Sequence, residues 1–537
     1  MKRQFMIHWK KSASILAVVV VGMLIYLPSF KLHFSLLDDG LTILKARLLM
    51  FNLLHLDWGG LIDVLLEPLN GRVRPGYWLI QSIFSWLSFY NSQILHFWRV
   101  VILASTVILS YSFMSKLKIR HSIILLSVWV FLFNIQNFEN YYRLGPVEPL
   151  IIFLLVAIFY LIFVSHLRHK ITILCLGIFM ILGGLIKENF FFTSLALLPA
   201  LILAKVKKDK KVFNNLVWIL LFGVISGVII LIIKLSYPTV GVYSSNYNVT
   251  LSTILNNIWS YVKLIQFNQT PLFEISVIHF VFFTVSLFKK GVKKIDTGDV
   301  VLISLWSNSI IQLLVLTPWN FVLNRYLAFI NINLIFIYAI SLNDLVAFIF
   351  SRLPRLRGFG RFVILCILFL ILTSKIFVRN FFSIANYQLY AQTDSDVSYD
   401  SVKAMAEALP VNVVVYVNYK KGDSNIEIFE ETKWHLGEFY SRRDIEFVYL
   451  DSINLCTKQS RFIFDRRSDR FLASSVFADK NKFKLVKGGA SIYSPINYGI
   501  VVKSFIDRYR YTGWSDEYDF DWGLYLQKEG TCIENVQ

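Results

Sequence analysis

The chain has 537 residues, of which 56% are hydrophobic, 16% aromatic and only 17% charged, and so little charge excludes an ordinary soluble protein of this length. Its net charge of +19 does not indicate nucleic-acid binding, because the basic residues fall in short clusters between apolar runs. These runs are about 16 to 22 residues long, enough to span or nearly span the hydrocarbon of a bilayer. The sequence therefore predicts a polytopic α-helical membrane protein.

The basic clusters set the predicted topology. They lie at about residues 2–11, 116–120, 168–170, 205–211, 289–294 and 352–361. Cytoplasmic loops carry an excess of Lys and Arg, so we place every cluster inside. This predicts about eleven spans, with the N-terminus cytoplasmic and the C-terminus extracytoplasmic. The predicted spans cover about residues 13–30, 94–114, 123–138, 150–164, 171–186, 190–204, 212–233, 272–288, 300–316, 327–350 and 363–378.

The first predicted outer loop, about residues 31–92, is long and contains an acidic pair, Asp38 and Asp39. Inside lipid, each carboxylate would cost roughly 3 kcal/mol on insertion scales. At a wet interface the pair is far less costly and is able to accept a proton or hold a cation. Later in the loop, residues 75–90 are apolar but short and begin with Pro75, which predicts an amphipathic helix lying at the interface.

The composition changes near residue 380, where charge becomes dense and short strand-like runs occur at residues 411–418 and 445–450. We therefore divide the chain into a transmembrane domain, residues 1–379, and a small α/β or α+β extracytoplasmic domain, residues 380–537. A helix is expected before the first strand, ending at Pro410. Cys456 and Cys532 lie in this second domain and could pair if it is extracytoplasmic.

The polar residues that interrupt the apolar pattern collect on the predicted outer face. They are Asp38, Asp39, Arg72, Arg74, Arg143, Glu148, Lys187, Glu188 and Arg325. Carboxylates beside several cations at a membrane surface suit a phosphate-bearing lipid. The cations would hold the phosphate, with bidentate hydrogen bonds from Arg, and a carboxylate could deprotonate an acceptor hydroxyl.

Five short sequence features, in this order, resemble the integral-membrane C-type (GT-C) glycosyltransferases, and most of all the protein O-mannosyltransferase-like branch. They are the Asp38-Asp39 pair, Arg74-Pro75 opening an apolar helix, His96 near the next span, GLIKENFFF at residues 184–192, and Arg325-Tyr326. The resemblance covers roughly the first 380 residues in topology but only short patches in sequence. It implies a GT-C-like fold and inverting transfer of a sugar from a polyprenyl-phosphate carrier at the extracytoplasmic face.

The resemblance also implies roles for single residues. One of Asp38 and Asp39 would be the catalytic base, with a slight preference for Asp39, and the other would orient the acceptor or a cation. Arg72, Arg74, Lys187 and Arg325 are the candidates for binding the donor phosphate. Glu188, Arg143 and Glu148 would support them. The family does not uniformly require a metal, so a divalent cation stays open, and the sequence has no His/Cys cluster with zinc spacing.

Structural explanations compete with each role. The acidic pair could simply be solvated, Arg72 and Arg74 could anchor a helix to headgroups, Lys187-Glu188 could be only a turn, and Arg143 with Glu148 only a loop ion pair.

Two other functions stay open at this point. One is an O-antigen polymerase or ligase, which would depend on outer-loop Arg and His residues rather than on the acidic pair. The other is a glycolipid transporter or flippase, although no internal repeat is evident.

The expected partners are a polyprenyl-phosphate-linked sugar donor, a glycan, lipid or protein acceptor, and the bilayer, but no nucleic acid. The expected location is a bacterial inner (plasma) membrane.

Overall fold

The computed structural model describes residues 2–34, 39–67, 73–236, 250–290, 295–318, 324–352, 359–417, 426–449, 456–457, 459–467, 479–493 and 518–532. Its α-helices are α1 Lys2–Tyr26, α2 Asp39–Leu54, α3 Trp58–Leu66, α4 Pro75–Leu87, α5 Ser92–Lys116, α6 His121–Leu132, α7 Ile135–Tyr142, α8 Glu148–Phe163, α9 His169–Ile186, α10 Phe192–Ala196, α11 Leu198–Lys207, α12 Lys210–Ser236, α13 Leu251–Gln269, α14 Leu272–Lys290, α15 Thr297–Leu316, α16 Ala328–Arg352, α17 Phe359–Ala408 and α18 Ile426–Phe439. Short 3-10 helices include Glu188–Phe191 and Asn324–Leu327.

Within the described residues, seven helices are long and apolar enough to cross a membrane, and up to ten spans result if each of three bent helix pairs counts as one. The chain is thus an integral, multi-pass membrane protein, as predicted. A bend of 61° separates α6 from α7, where the sequence pattern predicts a single span. A bend of 114° separates α13 from α14, where the pattern predicts a surface helix followed by a span. The number of spans is below the expected eleven partly because α8, with only 16 residues, is too short to be counted as a span.

The chain divides into two compact units. The first consists of Met1–Leu27, Asp57–Ile80 and Phe97–Ile384. Helix α8 lies in its core, since all of its residues except Phe153 and Tyr160 are buried. A helix that is apolar all round is expected to be covered on every side.

The second unit consists of Pro28–Leu56, Gln81–His96 and Ala385–Gln537. It contains a five-stranded sheet of order β2-β1-β3-β5-β4, with β1 Val414–Val417, β2 Glu446–Tyr449, β3 Arg461–Arg467, β4 Phe483–Tyr493 and β5 Tyr518–Gln527. Strands β1, β2 and β3 are parallel, whereas β5 is antiparallel to both β3 and β4. The small mixed sheet domain predicted for the tail is therefore confirmed.

Local sequence signals placed several elements correctly. Helix α4 begins at Pro75, α17 ends at Ala408 just before Pro410, and β1 and β2 lie inside the two strand-like runs. Cys456 and Cys532 form a disulfide, the pairing that the sequence left open. Helices α2 and α3 differ from the prediction, since the sequence pattern of residues 31–74 indicated a loop.

Candidate active site

Four segments far apart in the sequence bring charged side chains together in the first unit. Arg74 directly precedes α4, Glu148 opens α8, Lys187 follows α9, and Tyr326 lies in the 3-10 helix Asn324–Leu327. We call the following residues the ion-pair cluster: Arg74, Glu148, Lys187, Glu188, Arg325 and Tyr326.

Two ion pairs organise the cluster. Lys187 Nζ donates to Glu148 Oε1 at 2.7 Å, and both side chains are largely buried, with 12% and 5% of their surface exposed. Arg74 Nε donates to Glu188 Oε2 at 3.3 Å, with 19% and 26% exposed. Neighbouring residues Lys187 and Glu188 therefore pair with different segments, which argues against a simple solvated turn.

The Tyr326 ring lies beside two cations of the cluster, Lys187 and Arg325. Lys187 Nζ lies 5.1 Å and Arg325 Cζ 5.5 Å from the centre of its ring. Both distances are within the range of cation–π attraction. An aromatic ring that attracts two cations holds them close together and leaves their positive charge in place. A carboxylate in the same position would neutralise part of that charge.

The carboxyl of Glu148 lies outside the apolar part of α8, and its charge state follows from its neighbours. Burial alone would raise its pKa, but the charges of Lys187 and Arg325 and the hydrogen bond from Lys187 lower it to about 2. Glu148 is therefore ionised near neutral pH. The Glu148 carboxylate and its hydrogen bond from Lys187 Nζ fix the position of the lysine side chain.

A close approach of α4 to α9 brings Arg74 to Glu188. A Cβ at Gly76 would lie only 2.9 Å from Leu185 Cβ and 3.1 Å from Ile186 N. No larger residue fits against this backbone without displacement. The glycine after Arg74-Pro75 thus lets the start of α4 pack directly on the end of α9.

The loop before Glu148 is held by hydrogen bonds to its carbonyl groups. The buried Arg99 donates to the carbonyl oxygen of Pro146 at 2.9 Å and to that of Leu144, and the Tyr77 hydroxyl donates to that of Gly145 at 2.9 Å. These bonds leave the backbone little freedom where it enters α8. The position of the Glu148 carboxylate is thereby fixed by groups on α4 and α5.

Helix α7 fixes the position of Arg325. Asn140 Nδ2 donates to the Arg325 carbonyl oxygen at 2.9 Å. One turn earlier, Gln136 Oε1 accepts from Asn331 Nδ2 at 2.7 Å, and Asn331 Oδ1 accepts from Gln269 Nε2 at 2.7 Å. This buried amide network ties α7 to α13 and α16. Buried polar networks that are satisfied in this way hold one arrangement of helices.

The structure brings together five of the predicted site residues, namely Arg74, Glu148, Lys187, Glu188 and Arg325. Arg143 directly follows α7, and its charge acts on the carboxylate of Glu139 within that helix. Asp38 and Arg72 lie outside the described residues. Asp39 is the first residue of α2 and belongs to the second unit, so its role stays a prediction.

Four residues beside the cluster were not predicted from the sequence, namely Glu139, Asn140, Arg99 and Tyr77. Glu139 had a detectable signal, because an acidic residue four positions before Arg143 on a helix predicts an i,i+4 pair. The other three act by donating to backbone carbonyl groups, and such contacts leave no pattern in the sequence.

The charged groups in and beside the cluster carry more positive than negative charge, which suits an anion. Among the described residues, no group of three His, Cys, Asp or Glu side chains could hold a metal ion. Around Glu148, Glu188 and Glu139 stand four cations, Arg74, Arg143, Lys187 and Arg325. Arg74 donates to Glu188 through its Nε, so this bond does not use its two Nη groups. They can bind oxygens of a phosphate.

Comparison with known proteins supports the fold. No family model matches the chain, and no curated protein sequence matches it. The structure of ArnT from Cupriavidus metallidurans bound to undecaprenyl phosphate is similar with a TM-score of 0.51 at 10% identity, over 94% of this chain and 97% of that one. The apo state of the same protein gives a TM-score of 0.49 at 12% identity, covering 95% and 98%. The apo oligosaccharyltransferase of Archaeoglobus fulgidus gives 0.44 at 12% identity, covering 83% and 65%.

The likeness to undecaprenyl-phosphate-bound ArnT extends over nearly the whole of both chains, sheet domain included. At this level of identity it is informative about the fold alone. The chain is a polytopic membrane protein with a GT-C-type fold and a small C-terminal sheet domain.

Proposed function

We propose that this protein is a membrane glycosyltransferase that moves a sugar from a polyprenyl-phosphate carrier to an envelope glycan, lipid or protein acceptor on the extracytoplasmic face. The observation that carries the proposal is the ion-pair cluster, in a chain whose fold matches that of ArnT over 94% of its length. The ArnT structure was determined bound to undecaprenyl phosphate, a ligand that combines a phosphate with a long apolar chain.

The donor phosphate would bind at the cluster. Arg74, Lys187 and Arg325 approach from three different segments, so a phosphate between them would be held from several sides. Arg72 would contribute a further cation. Fixed cations stabilise a transition state best where negative charge develops, and here that is the phosphate leaving the sugar. Glu148 and Glu188 support this role by keeping Lys187 and Arg74 in position.

The acidic pair would supply the base. The acceptor hydroxyl oxygen attacks the anomeric carbon and forms the new glycosidic bond, while the bond from that carbon to the phosphate oxygen breaks. The electron pair leaves with the polyprenyl phosphate, and Asp39 or Asp38 takes the hydroxyl proton. Attack opposite the leaving group inverts the anomeric configuration. The second carboxylate would orient the acceptor or a divalent cation.

The proposed orientation has the N-terminus in the cytoplasm and the tail outside, in a bacterial inner membrane. The basic clusters support it through the positive-inside rule. The disulfide between Cys456 and Cys532 also supports it, because disulfides persist mainly in oxidising compartments. Within the GT-C fold we assign the chain to the protein O-mannosyltransferase-like branch on the motif resemblance alone.

The proposal is tested by comparing envelope glycans, by mass spectrometry, in cells that lack the protein and in cells that express it at matched membrane abundance. The variants are Asp38→Asn and Asp39→Asn, with Asp63→Asn, an exposed carboxylate of α3, as the matched control. We expect loss of one sugar without the protein, full rescue by wild type and Asp63→Asn, and failed rescue by at least one variant of the pair. Full rescue by both would contradict a carboxylate base at this position.

A further inference from the structure

In the second unit, the segment that carries the acidic pair contacts helices of the C-terminal tail. The His33 backbone N–H donates to Ser395 Oγ at 2.8 Å, and the His33 ring stacks on Tyr399 with 4.1 Å between centres. The Phe34 ring stacks on Phe439 at 5.1 Å. These contacts lie just before the acidic pair and involve α17 and α18.

The N-terminus of α2 contacts a carboxylate of α18. The Leu41 backbone N–H lies 3.3 Å from both Oε1 and Oε2 of Glu431, whose side chain is only 4% exposed. Leu41 is the third residue of α2, and the first four N–H groups of a helix have no acceptor within it. The Glu431 carboxylate thus supplies an acceptor from 390 residues away in the sequence. Its negative charge is also favourable at the positive end of the helix.

A second carboxylate of α18 holds α2 further along. Arg47 Nη1 donates to Glu438 Oε2 at 2.7 Å and to the Glu438 carbonyl oxygen at 2.8 Å. The same carboxylate accepts from Arg443 at 2.9 Å. Two points of attachment, at Leu41 and Arg47, fix both the position of α2 along its axis and its rotation about it.

We infer that the tail positions the proposed catalytic base, with Glu431 as the principal positioning residue. The inference rests on the proposed function, because it assigns the tail a part in that reaction. Asp39 is the first residue of α2, so the backbone from which its side chain extends is set by the contact between Leu41 and Glu431. Glu431 touches no reacting atom in this account; it acts only through the start of α2.

The physical reason is that a general base works only when it is correctly placed. A displacement of about 1 Å at a reacting group costs on the order of a hundredfold in rate. Helix ends fray when their N–H groups lose an acceptor. Without Glu431, the first turn of α2 would sample several positions, and the base would spend less time where it can accept the proton.

The test uses the full-length protein in lipid nanodiscs and in cells, with Glu431→Ala, Glu431→Gln and the control Glu446→Ala, which removes an exposed carboxylate of the same unit. Glutamine keeps an oxygen that can accept from Leu41, whereas alanine removes it. Three quantities are measured: hydrogen exchange of the first turn of α2, affinity for undecaprenyl phosphate, and the initial rate of sugar addition to envelope glycans at matched protein abundance.

For Glu431→Ala we expect exchange of the first-turn amides to accelerate about fivefold, as for loss of a helix cap. We expect the transfer rate to fall at least about tenfold, while affinity for undecaprenyl phosphate, which would bind the cluster of the first unit, stays within twofold. Glu431→Gln should restore most of both losses, and Glu446→Ala should resemble wild type. This separation of binding from turnover is not expected from general unfolding.

Three results would overturn the inference, and each has a different meaning. Unchanged exchange in Glu431→Ala would show that the carboxylate does not hold α2. Faster exchange with an unchanged transfer rate would show that the position of α2 does not affect the sugar transfer. The proposed function itself would not be contradicted by that result. A wild-type protein that adds no sugar would refute the proposed function itself, whatever the exchange measurement shows.

Discussion

At the scale of single residues, the central feature is the buried ion pair between Lys187 and Glu148. A lysine in a hairpin and a glutamate before an apolar helix are unremarkable in the sequence, where each could be explained as a solvated loop residue. The 2.7 Å contact between largely buried groups, with Tyr326 beside the ammonium, shows that they form one structure. We propose that this structure holds the donor phosphate.

The structural and functional roles of Lys187 can be separated with a double variant. Lys187→Met leaves a buried carboxylate unpaired, and breaking such a pair costs about 3–5 kcal/mol of unfolding free energy. Adding Glu148→Gln removes the unpaired charge, so stability should return nearly to the wild-type value. Affinity for undecaprenyl phosphate should stay low in both variants, as measured by lipid binding beside thermal unfolding in detergent. Recovery of lipid binding in the double variant would mean that Lys187 does not contact the phosphate.

The lowered pKa of Glu148 predicts how this pair responds to pH. A carboxyl whose pKa falls from 4.5 to about 2 on folding stabilises the protein above pH 4.5 and loses that effect as the pH falls toward 2. The difference in melting temperature between wild type and Glu148→Gln should therefore be constant from about pH 5 to pH 8. It should shrink below about pH 4, where the wild-type carboxyl also takes up a proton. A difference that vanishes between pH 5 and 8 would contradict the assigned charge state.

At the scale of elements, the site depends on helices that approach closely and on helices that break. Pro75 and the Lys187 turn allowed the starts and ends of two elements to be predicted, because proline and tight turns leave local signals. The contact between α4 and α9 at Gly76, and the network that ties α7 to α13 and α16, could not be predicted. Both depend on which helices become neighbours, and periodicity within one helix carries no such information.

Gly76 provides a test at this scale. Gly76→Ala places a Cβ 2.9 to 3.1 Å from atoms at Leu185 and Ile186, so α4 must move away from α9. Such overpacking typically costs about 1–3 kcal/mol, and the shift should lengthen the Arg74–Glu188 contact and weaken binding of undecaprenyl phosphate. Gly59→Ala is the matched control, because its Cβ would meet only Asp57 Oδ1 at 3.6 Å. Equal lipid binding by both variants would show that the α4–α9 approach does not set the site.

At the scale of the whole molecule, the broad architecture could be predicted from the amino-acid composition along the chain. Apolar runs and basic clusters predicted a polytopic chain, and the change near residue 380 predicted the sheet domain. The composition of the second unit could not be predicted from the sequence, because this unit combines Pro28–Leu56 and Gln81–His96 with the tail. The contact between Leu41 and Glu431 lies within this unit, and no local sequence signal links residues so far apart.

The disulfide tests the proposed side of the membrane for this unit. It closes a loop with a sequence separation of 76 residues, so replacing both cysteines by serine should lower the unfolding free energy of the tail by about 2–5 kcal/mol. In a background with Cys175→Ala and Cys366→Ala, a membrane-impermeant maleimide should label intact spheroplasts only after reduction. Labelling that requires opened membranes would place the tail in the cytoplasm.

The central claim, that a sugar is transferred from a polyprenyl-phosphate carrier, is tested most directly by following carrier and acceptor together. Membrane vesicles from cells that lack the protein are supplemented with purified wild-type protein or the Lys187→Met/Glu148→Gln variant, and both lipids and glycans are analysed by mass spectrometry. We predict one undecaprenyl phosphate released for each single sugar gained by the acceptor, and neither with the variant. Passage of the sugar across the membrane while still attached to its carrier, or addition of a multi-sugar block, would contradict the account in favour of a flippase or a polymerase.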